Sequence, residues 1–209
     1  MTALLDSWSV RPKQAGQAAI LPDGCRDLIC LEQPGQRPRW FLSPLQTTAK
    51  MANLQADTRM TGFRLHPGVR APGRLAQQLG HSPPDKARIG DLIAQNTHLG
   101  SNTGEALACL ARAQNVAQGA RDLGVSMRSL QRLLLRDTGQ SPAFWLQLAR
   151  IRRAARLLSD HALAEAAHDA GYADQAHMSR AFRHWFAISP AAFRTRPDLV
   201  VQVYSQAYG

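Results

Sequence analysis

The side chains best suited to chemistry lie on two stretches of sequence that each predict an amphipathic helix. In residues 127–138, leucines recur at three- to four-residue spacing and predict one buried face. Arg128, Gln131 and Arg132 point away from that face, and Arg136 lies near its far edge. Arginine pairs with guanine and glutamine with adenine in the major groove of DNA, and an edge arginine suits a phosphate. The pattern indicates a DNA-contacting helix, and a solvated helix of a bundle is the alternative.

The second stretch, residues 175–186, repeats this division into two faces. An apolar stripe at i, i+3, i+4 and i+7 predicts the core side, and Ala176, Ser179, Arg180 and Arg183 face away from it. Gln175 and His177 flank the polar face near the helix N-terminus, the end that usually meets base edges.

Two copies of one helical unit must position these faces. Short helices over 116–123 and 163–170 each end at a glycine, Gly124 or Gly171, and the unit repeats after roughly 48 residues. Ser126 and Asp174 follow as N-caps of the polar-faced helices, and Val125 is expected to be buried in the first turn. Further helices are predicted over 103–114, 142–159 and 190–194. This duplication of a helix, a turn and a second helix favours paired helix-turn-helix units over a plain helical bundle.

Positive charge is concentrated around the first unit. The chain has a formal charge of +10 and a pI near 10.7, which favours an anionic partner, although 22 Arg against 3 Lys also fits a compositional bias. Residues 112–156 hold nine Arg and two Asp, whereas residues 160–196 hold four Arg and four acids. We therefore hypothesise that the first unit supplies most of the affinity and the second tunes specificity.

The first 70 residues predict short strands separated by turns. The strands are expected over residues 18–21, 27–32, 39–42, 47–51 and 59–65. This spacing predicts a small sandwich or barrel, followed by short helices around Leu79 and Ile93 and a linker over 99–103. The fold class is therefore α+β with two domains: residues 1–100 form a β-rich domain, 103–196 a helical domain, and 197–209 a C-terminal tail.

No cluster of residues predicts catalysis or a cofactor. Cys25, Cys30 and His66 are the available metal ligands, but residues five apart on a strand face opposite sides, so buried cysteines are favoured over a metal site. A redox-sensing thiol is a further alternative. Three cysteines make no disulfide framework, and no apolar run approaches the ~18 residues of a membrane span. The start of the sequence lacks a secretory pattern, so a cytoplasmic protein is expected. Because no catalytic motif stands out, no enzyme activity is expected.

At these motifs the sequence resembles the AraC/XylS family of transcription regulators. The match is strongest in 171–183 (GYADQAHMSRAFR) and 188–194 (ISPAAFR), and it continues in 126–132 (SMRSLQR) and 138–142 (TGQSP). The resemblance covers about residues 103–196 and implies seven helices, with two helix-turn-helix subdomains joined by a long helix. The base-contacting candidates that it implies are Arg128, Gln131, Arg132, Gln175, Ala176, His177 and Arg180. The candidates for contact with the DNA backbone are Ser126, Arg136, Arg150, Ser179 and Arg183; Arg150 and its neighbours Arg152, Arg153 and Arg156 could equally be solvated or paired with acids.

Three residues depart from the family pattern. Ala187 stands where glycine is usual, which predicts either slight strain at the end of the second polar-faced helix or a different helix end. Met178 replaces a phenylalanine, and Leu135 replaces a basic residue and places an apolar side chain on a polar face.

The N-terminal segments 20–29 (ILPDGCRDLI) and 62–68 (GFRLHPG) resemble small cupin-like domains of some AraC-type regulators. By analogy they imply a small-molecule effector or a homodimer, with RNA polymerase as a further partner and no membrane. The expected function is a sequence-specific transcription regulator that binds double-stranded DNA. The alternatives are a non-specific architectural DNA-binding protein and a cupin-type enzyme with a DNA-binding tail.

Overall fold

The computed structural model describes residues 3–209, and its N-terminal part contains six strands in two antiparallel sheets. The strands are β1 (Leu4–Val10), β2 (Gly16–Ile20), β3 (Arg26–Glu32), β4 (Arg39–Leu42), β5 (Lys50–Leu54) and β6 (Arg59–Leu65). The larger sheet has the order β1-β6-β3-β4, and β2 pairs with β5 alone.

Two helices, α1 (Leu75–Leu79) and α2 (Lys86–Asn96), pack on the larger sheet. Leu28 and Phe63 come from the centre of the sheet and meet Leu75 and Ile93 from the helices, all of them almost fully buried. Burying such side chains contributes roughly 1.5–3 kcal/mol each, so this part of the chain has a core of its own.

The C-terminal part is helical. It consists of α3 (Ser101–Arg112), α4 (Val116–Asp122), α5 (Met127–Thr138), α6 (Pro142–Leu157), α7 (Leu163–Asp169), α8 (Gln175–Phe186), α9 (Pro190–Arg194) and α10 (Pro197–Tyr204). The long helix α6 contacts every helix from α3 to α5, and also α7, α8 and α10. Its Trp145, Leu148 and Ile151 are completely buried, so α6 is the axis on which both halves of this domain are built.

The α+β arrangement, with seven helices between residues 101 and 196, is confirmed. The bounds of α5, α8 and α9 are those predicted, because serine, aspartate, proline and glycine at their ends act locally. The domain boundaries at residues 100 and 196 and the cupin-like character of the sheets stay predictions.

Four expectations need correction. The strand β1 was not expected, and the strand predicted over 47–51 lies at Lys50–Leu54. Residues 101–103 belong to α3 and not to a linker. Val125 is 38% exposed and is not buried in its turn. Within residues 3–209, no helix combines the length and the apolarity that a membrane-spanning helix needs.

Candidate nucleic-acid interface

The first helix-turn-helix unit, α4 and α5, has a turn that is closed by its backbone. Gly124 has a φ of +73°, which a glycine adopts without steric cost. The Val125 amide donates to the Ala120 carbonyl (3.0 Å) and the Gly124 amide to Arg121 (2.9 Å), which is the Schellman pattern. The Ser126 hydroxyl then accepts from the Ser129 amide (3.1 Å) and caps α5. These bonds fix the angle at which α5 leaves α4.

The polar face of α5 is open to solvent. Leu130 and Leu134 are completely buried on its inner side, whereas Arg128, Gln131 and Arg132 are exposed. Leu135 is exposed, as the sequence predicted, and Met127 is also exposed at the start of the helix. The helix therefore presents two guanidinium groups, one amide and two apolar side chains, which can meet guanine, adenine and thymine methyl groups respectively.

The second unit, α7 and α8, repeats the turn with one additional residue. Gly171 has a φ of +82°, and the Tyr172 amide donates to Ala167 (2.9 Å) as Val125 does to Ala120. Tyr172 is buried, unlike Val125, and its ring lies edge-on to the His177 ring at 5.2 Å. The Asp174 carboxylate caps α8 by accepting from the His177 amide (2.6 Å).

The outer face of α8 carries the side chains that the sequence assigned to it. Met178 and Phe182 are completely buried, and Trp185 nearly so. The exposed residues are Gln175, Ala176, His177, Arg180 and Arg183. Ser179 is half-buried. The two polar faces thus have the same relation to their turns and caps, and differ in the side chains that they display.

Among the candidates for contact with the DNA backbone, three are engaged within the protein: Ser126, Arg136 and Arg150, whose contacts are given with those of α6. The Ser126 hydroxyl serves as a cap, and Arg136 is exposed but donates twice to its neighbour Asp137 (2.7 and 3.1 Å). The bonds from Arg136, together with one from Thr103 (2.6 Å), hold the pKa of Asp137 down at about 2. Arg183 is exposed, and its guanidinium forms no hydrogen bond or ion pair with any residue from 3 to 209.

The arginines of α6 act as internal braces. Arg150 donates to the Gln114 carbonyl (2.7 Å), its guanidinium lies 5.7 Å from the centre of the Tyr172 ring, and Arg153 donates to Ala111 (2.5 Å). Arg152 is completely buried, so the expectation that it could reach DNA is wrong. Each brace donates to a backbone carbonyl that would otherwise lack a partner. The positive charge that is free for DNA is thus carried mainly by exposed arginines such as Arg128 and Arg132 of α5. A DNA contact by Arg150 stays a prediction.

The end of α8 confirms the expected strain. Ala187 has φ +59° and ψ +16°, in the left-handed region, and its amide donates to Arg183 (3.2 Å). At the equivalent end of α5, Gly139 has φ +71°. An alanine in this conformation costs about 1 kcal/mol more than a glycine.

The cysteines of the N-terminal part are buried thiols. Burial raises the pKa of Cys25, and burial together with Glu32 raises the pKa of Cys30 to about 12. Neither thiol has the lowered pKa of a reactive cysteine. In the part of the chain that the structure describes, no three His, Cys, Asp or Glu side chains lie together as metal ligands would.

The chain was compared with known proteins. A family model described as a helix-turn-helix domain matches residues 120–196. The HTH-type transcriptional activator RhaS of Salmonella paratyphi B is 36% identical over 85 residues, which make up 40% of this chain and 31% of RhaS. The chain thus matches about a third of the length of such curated relatives.

Two solved structures also match. A transcriptional regulator from Chromobacterium violaceum with an AraC-type DNA-binding domain is 26% identical, over 46% of this chain and 90% of that one, with a TM-score of 0.42. ToxT from Vibrio cholerae is 8% identical, over 91% of this chain and 97% of that one, with a TM-score of 0.46.

The fold and the exposed faces of α5 and α8 define a protein with two helix-turn-helix units joined by a long helix. In its motifs and in the matches to the helix-turn-helix domain and to RhaS, the helical part of the chain is similar to the DNA-binding domains of AraC/XylS-type transcription regulators.

Proposed function

We propose that the protein is a sequence-specific, cytoplasmic DNA-binding transcription regulator in which α5 and α8 enter adjacent major grooves. One observation carries the proposal: two capped helices of twelve residues each bury an apolar face and leave polar side chains in solvent. The base-contacting residues in this proposal are Arg128, Gln131, Arg132, Gln175, Ala176, His177 and Arg180. Ser126, Arg136, Ser179 and Arg183 border the backbone.

The test is selection of binding sites from random duplex DNA by the purified protein, followed by sequencing. Two short motifs about one helical turn apart, ~10 bp centre to centre, are expected because one helix enters each groove. Duplicated copies of such a site would indicate a homodimer. Binding that enriches no motif and only weakens as salt rises would contradict specific recognition and indicate an architectural DNA-binding protein.

A cleft between the two parts of the chain supports control by a small molecule. A cavity of about 510 Å³ is bordered by Arg26, His66 and Arg70 on the N-terminal side and by Thr138 and Trp145 on the helical side. Arg26 also borders a neighbouring cavity of about 670 Å³. Its half-buried guanidinium forms no hydrogen bond or ion pair with any of residues 3–209. A cationic group without a partner in this cleft favours a small organic anion as the effector.

A panel of small aliphatic and aromatic carboxylates, with phosphate, would test this by thermal shift. An anion present at 100 times its Kd stabilises the folded state by about 2.7 kcal/mol. The shift should disappear in Arg26→Ala and persist in Arg39→Ala, which removes an exposed arginine of β4. If no anion raises the Tm, or if Arg26→Ala responds as the wild type does, the cleft is not the effector site.

A further inference from the structure

The turn between β2 and β3 carries the Pro22-Asp23-Gly24-Cys25 motif. This motif has no role in the proposed DNA binding. Gly24 has a φ of +78° and lies against the helical domain. A Cβ atom added there would come within 2.7 Å of Tyr208 Cβ, 2.9 Å of Trp145 Cζ3 and 3.3 Å of Leu148 Cδ2. The motif therefore needs glycine twice over, for its backbone conformation and for this close approach.

The other side of this contact is formed by residues 199–209, which we call the C-terminal strap. The strap bonds to the N-terminal domain through Gln202, which accepts from the Leu21 amide (3.1 Å) and donates to the Ala19 carbonyl (2.9 Å). The Tyr208 amide donates to the Asp23 carbonyl (3.0 Å). The strap thus bonds to the end of β2 and to the turn between β2 and β3.

The same strap bonds to the helical domain. The buried Tyr208 donates its hydroxyl to the Leu107 carbonyl of α3 (3.1 Å), and its ring lies edge-on to Trp145 with 4.9 Å between centroids. The Val203 carbonyl accepts from both Arg152 (3.1 Å) and Arg156 (3.2 Å) of α6. The strap therefore forms hydrogen bonds with both domains.

Charged side chains from both domains meet beneath the strap. Arg64 of β6 pairs with Asp23 (2.9 Å) and Asp27 (3.1 Å) and donates to the Gln206 carbonyl (3.2 Å). Arg152 is completely buried, and within the described residues its Nε and Nη1 atoms have no hydrogen-bond partner. Burial lowers the pKa of Arg152 to about 10, and the attraction of Asp23 offsets part of the cost of burying this cation.

We propose that the turn of residues 22–25 and the C-terminal strap form a latch that fastens the N-terminal domain to α6, the helix that joins the two helix-turn-helix units. The motif with Cys25 is then an interdomain docking element, and it is neither a metal site nor a redox site. The raised pKa of the buried Cys25 thiol agrees with this packing role. The proposal does not depend on DNA binding, because it concerns contacts within one chain.

Hydrogen–deuterium exchange on the full chain tests the latch with a matched pair of variants. Gly24→Ala and Gly35→Ala both place alanine at a positive φ, +78° and +73°, but nothing lies within 4 Å of a Cβ at Gly35. We expect Gly24→Ala to speed exchange of the strap amides, Tyr208 included, at least tenfold. Gly35→Ala should leave the strap at the wild-type rate, and β3 should stay protected in both variants. Equal exchange of the strap in the two variants would overturn the proposal.

A second pair decides the matter if Gly24→Ala does not fold. Gln202→Ala removes the side chain that bonds to Ala19 and Leu21, whereas Gln206→Ala removes an exposed side chain of the same strap. The latch predicts faster exchange at the Leu21 and Tyr208 amides in Gln202→Ala than in Gln206→Ala, by at least threefold. If the two variants exchange alike, the strap does not hold the N-terminal domain.

Discussion

The two helix-turn-helix units have nearly the same backbone and different surfaces. Each turn has a glycine at positive φ, Gly124 or Gly171, and each recognition helix has twelve residues and a polar N-cap. After each helix, a serine caps the next one, Ser141 for α6 and Ser189 for α9, at 3.2 Å in both cases. The two units therefore share the turn glycines and the helix caps, which fix the angles between their helices.

The difference lies in what the backbone presents. The first unit exposes Arg128 and Arg132 and lies in the strongly basic segment, whereas the second exposes Gln175, His177 and Arg180 in a segment of zero net charge. Because non-specific affinity comes from phosphate neutralisation, the first unit should dominate affinity and its salt dependence.

The largest expected effect is on DNA affinity. Arg132→Ala should weaken binding to a selected site by about 1–3 kcal/mol, because one guanidinium contact to a base is lost. Arg180→Ala, in the second unit, should cost less. Fluorescence anisotropy titrations at several salt concentrations give both values. A greater loss of affinity for Arg180→Ala would show that the first unit does not dominate.

Opposite changes in stability are expected at the ends of the two recognition helices. Gly139→Ala should lower the free energy of unfolding by about 1 kcal/mol, because alanine is strained at φ +71°. No atom lies within 4 Å of the added Cβ, so no new packing contact offsets this strain. Ala187→Gly should raise it by about 0.5–1 kcal/mol. Urea denaturation measures both, with Gly73→Ala as a control, since a Cβ there meets nothing and its φ is not positive. Changes of the same sign would refute the strain at Ala187.

A smaller effect concerns the first helix of each unit. Asn115 caps α4 by accepting from the Gln118 amide (2.9 Å), whereas Ala162 begins α7 and has no side chain to do so. Ala162→Ser should therefore stabilise the protein by about 0.5–1 kcal/mol, and Asn115→Ala should destabilise it by a similar amount. Thermal unfolding checks the pair. No gain from Ala162→Ser would contradict this expectation, because the existing bond from the Ala162 amide to Glu165 (3.0 Å) does not involve the first-turn amides that a serine hydroxyl would bind.

The smallest effect depends on pH. The bonds from Arg136 and Thr103 lower the pKa of Asp137 from 3.8 to about 2. Since the folded-state pKa is below the unfolded one, the stabilisation is present above about pH 4 and is lost as the pH falls towards 2. It should amount to no more than about 0.5 kcal/mol, because Arg136 is well exposed. Asp137→Asn should remove this part of the acid dependence of stability, and Asp122→Asn, at an exposed position, should not.

The sequence predicted the helical domain well because its signals are local. Ser126, Asp174, Gly139 and the two Ser-Pro pairs act within four residues of the helix ends that they define. The polar faces of α5 and α8 followed from the same periodicity. Which of those side chains contact bases stays a prediction.

What the sequence could not show depends on distant partners. Strand β1 is held by β6, with Leu4 opposite Leu65, and its own sequence gives little strand signal without that partner. Arginine is usually a surface residue. The burial of Arg152 depends on two distant partners, the Val203 carbonyl that accepts its hydrogen bond and the nearby carboxylate of Asp23. Residues 205–209 of the strap, beyond the end of α10, are likewise held by contacts with both domains, such as those of Tyr208 with Asp23 and Leu107.

The most direct test of paired groove recognition repeats the site selection with Arg132→Ala and with Arg180→Ala. If α5 and α8 contact separate grooves, each variant should lose base preference in one of the two motifs and keep it in the other, with the motifs still ~10 bp apart. Loss of preference in the same motif for both variants, or in neither, would contradict the account.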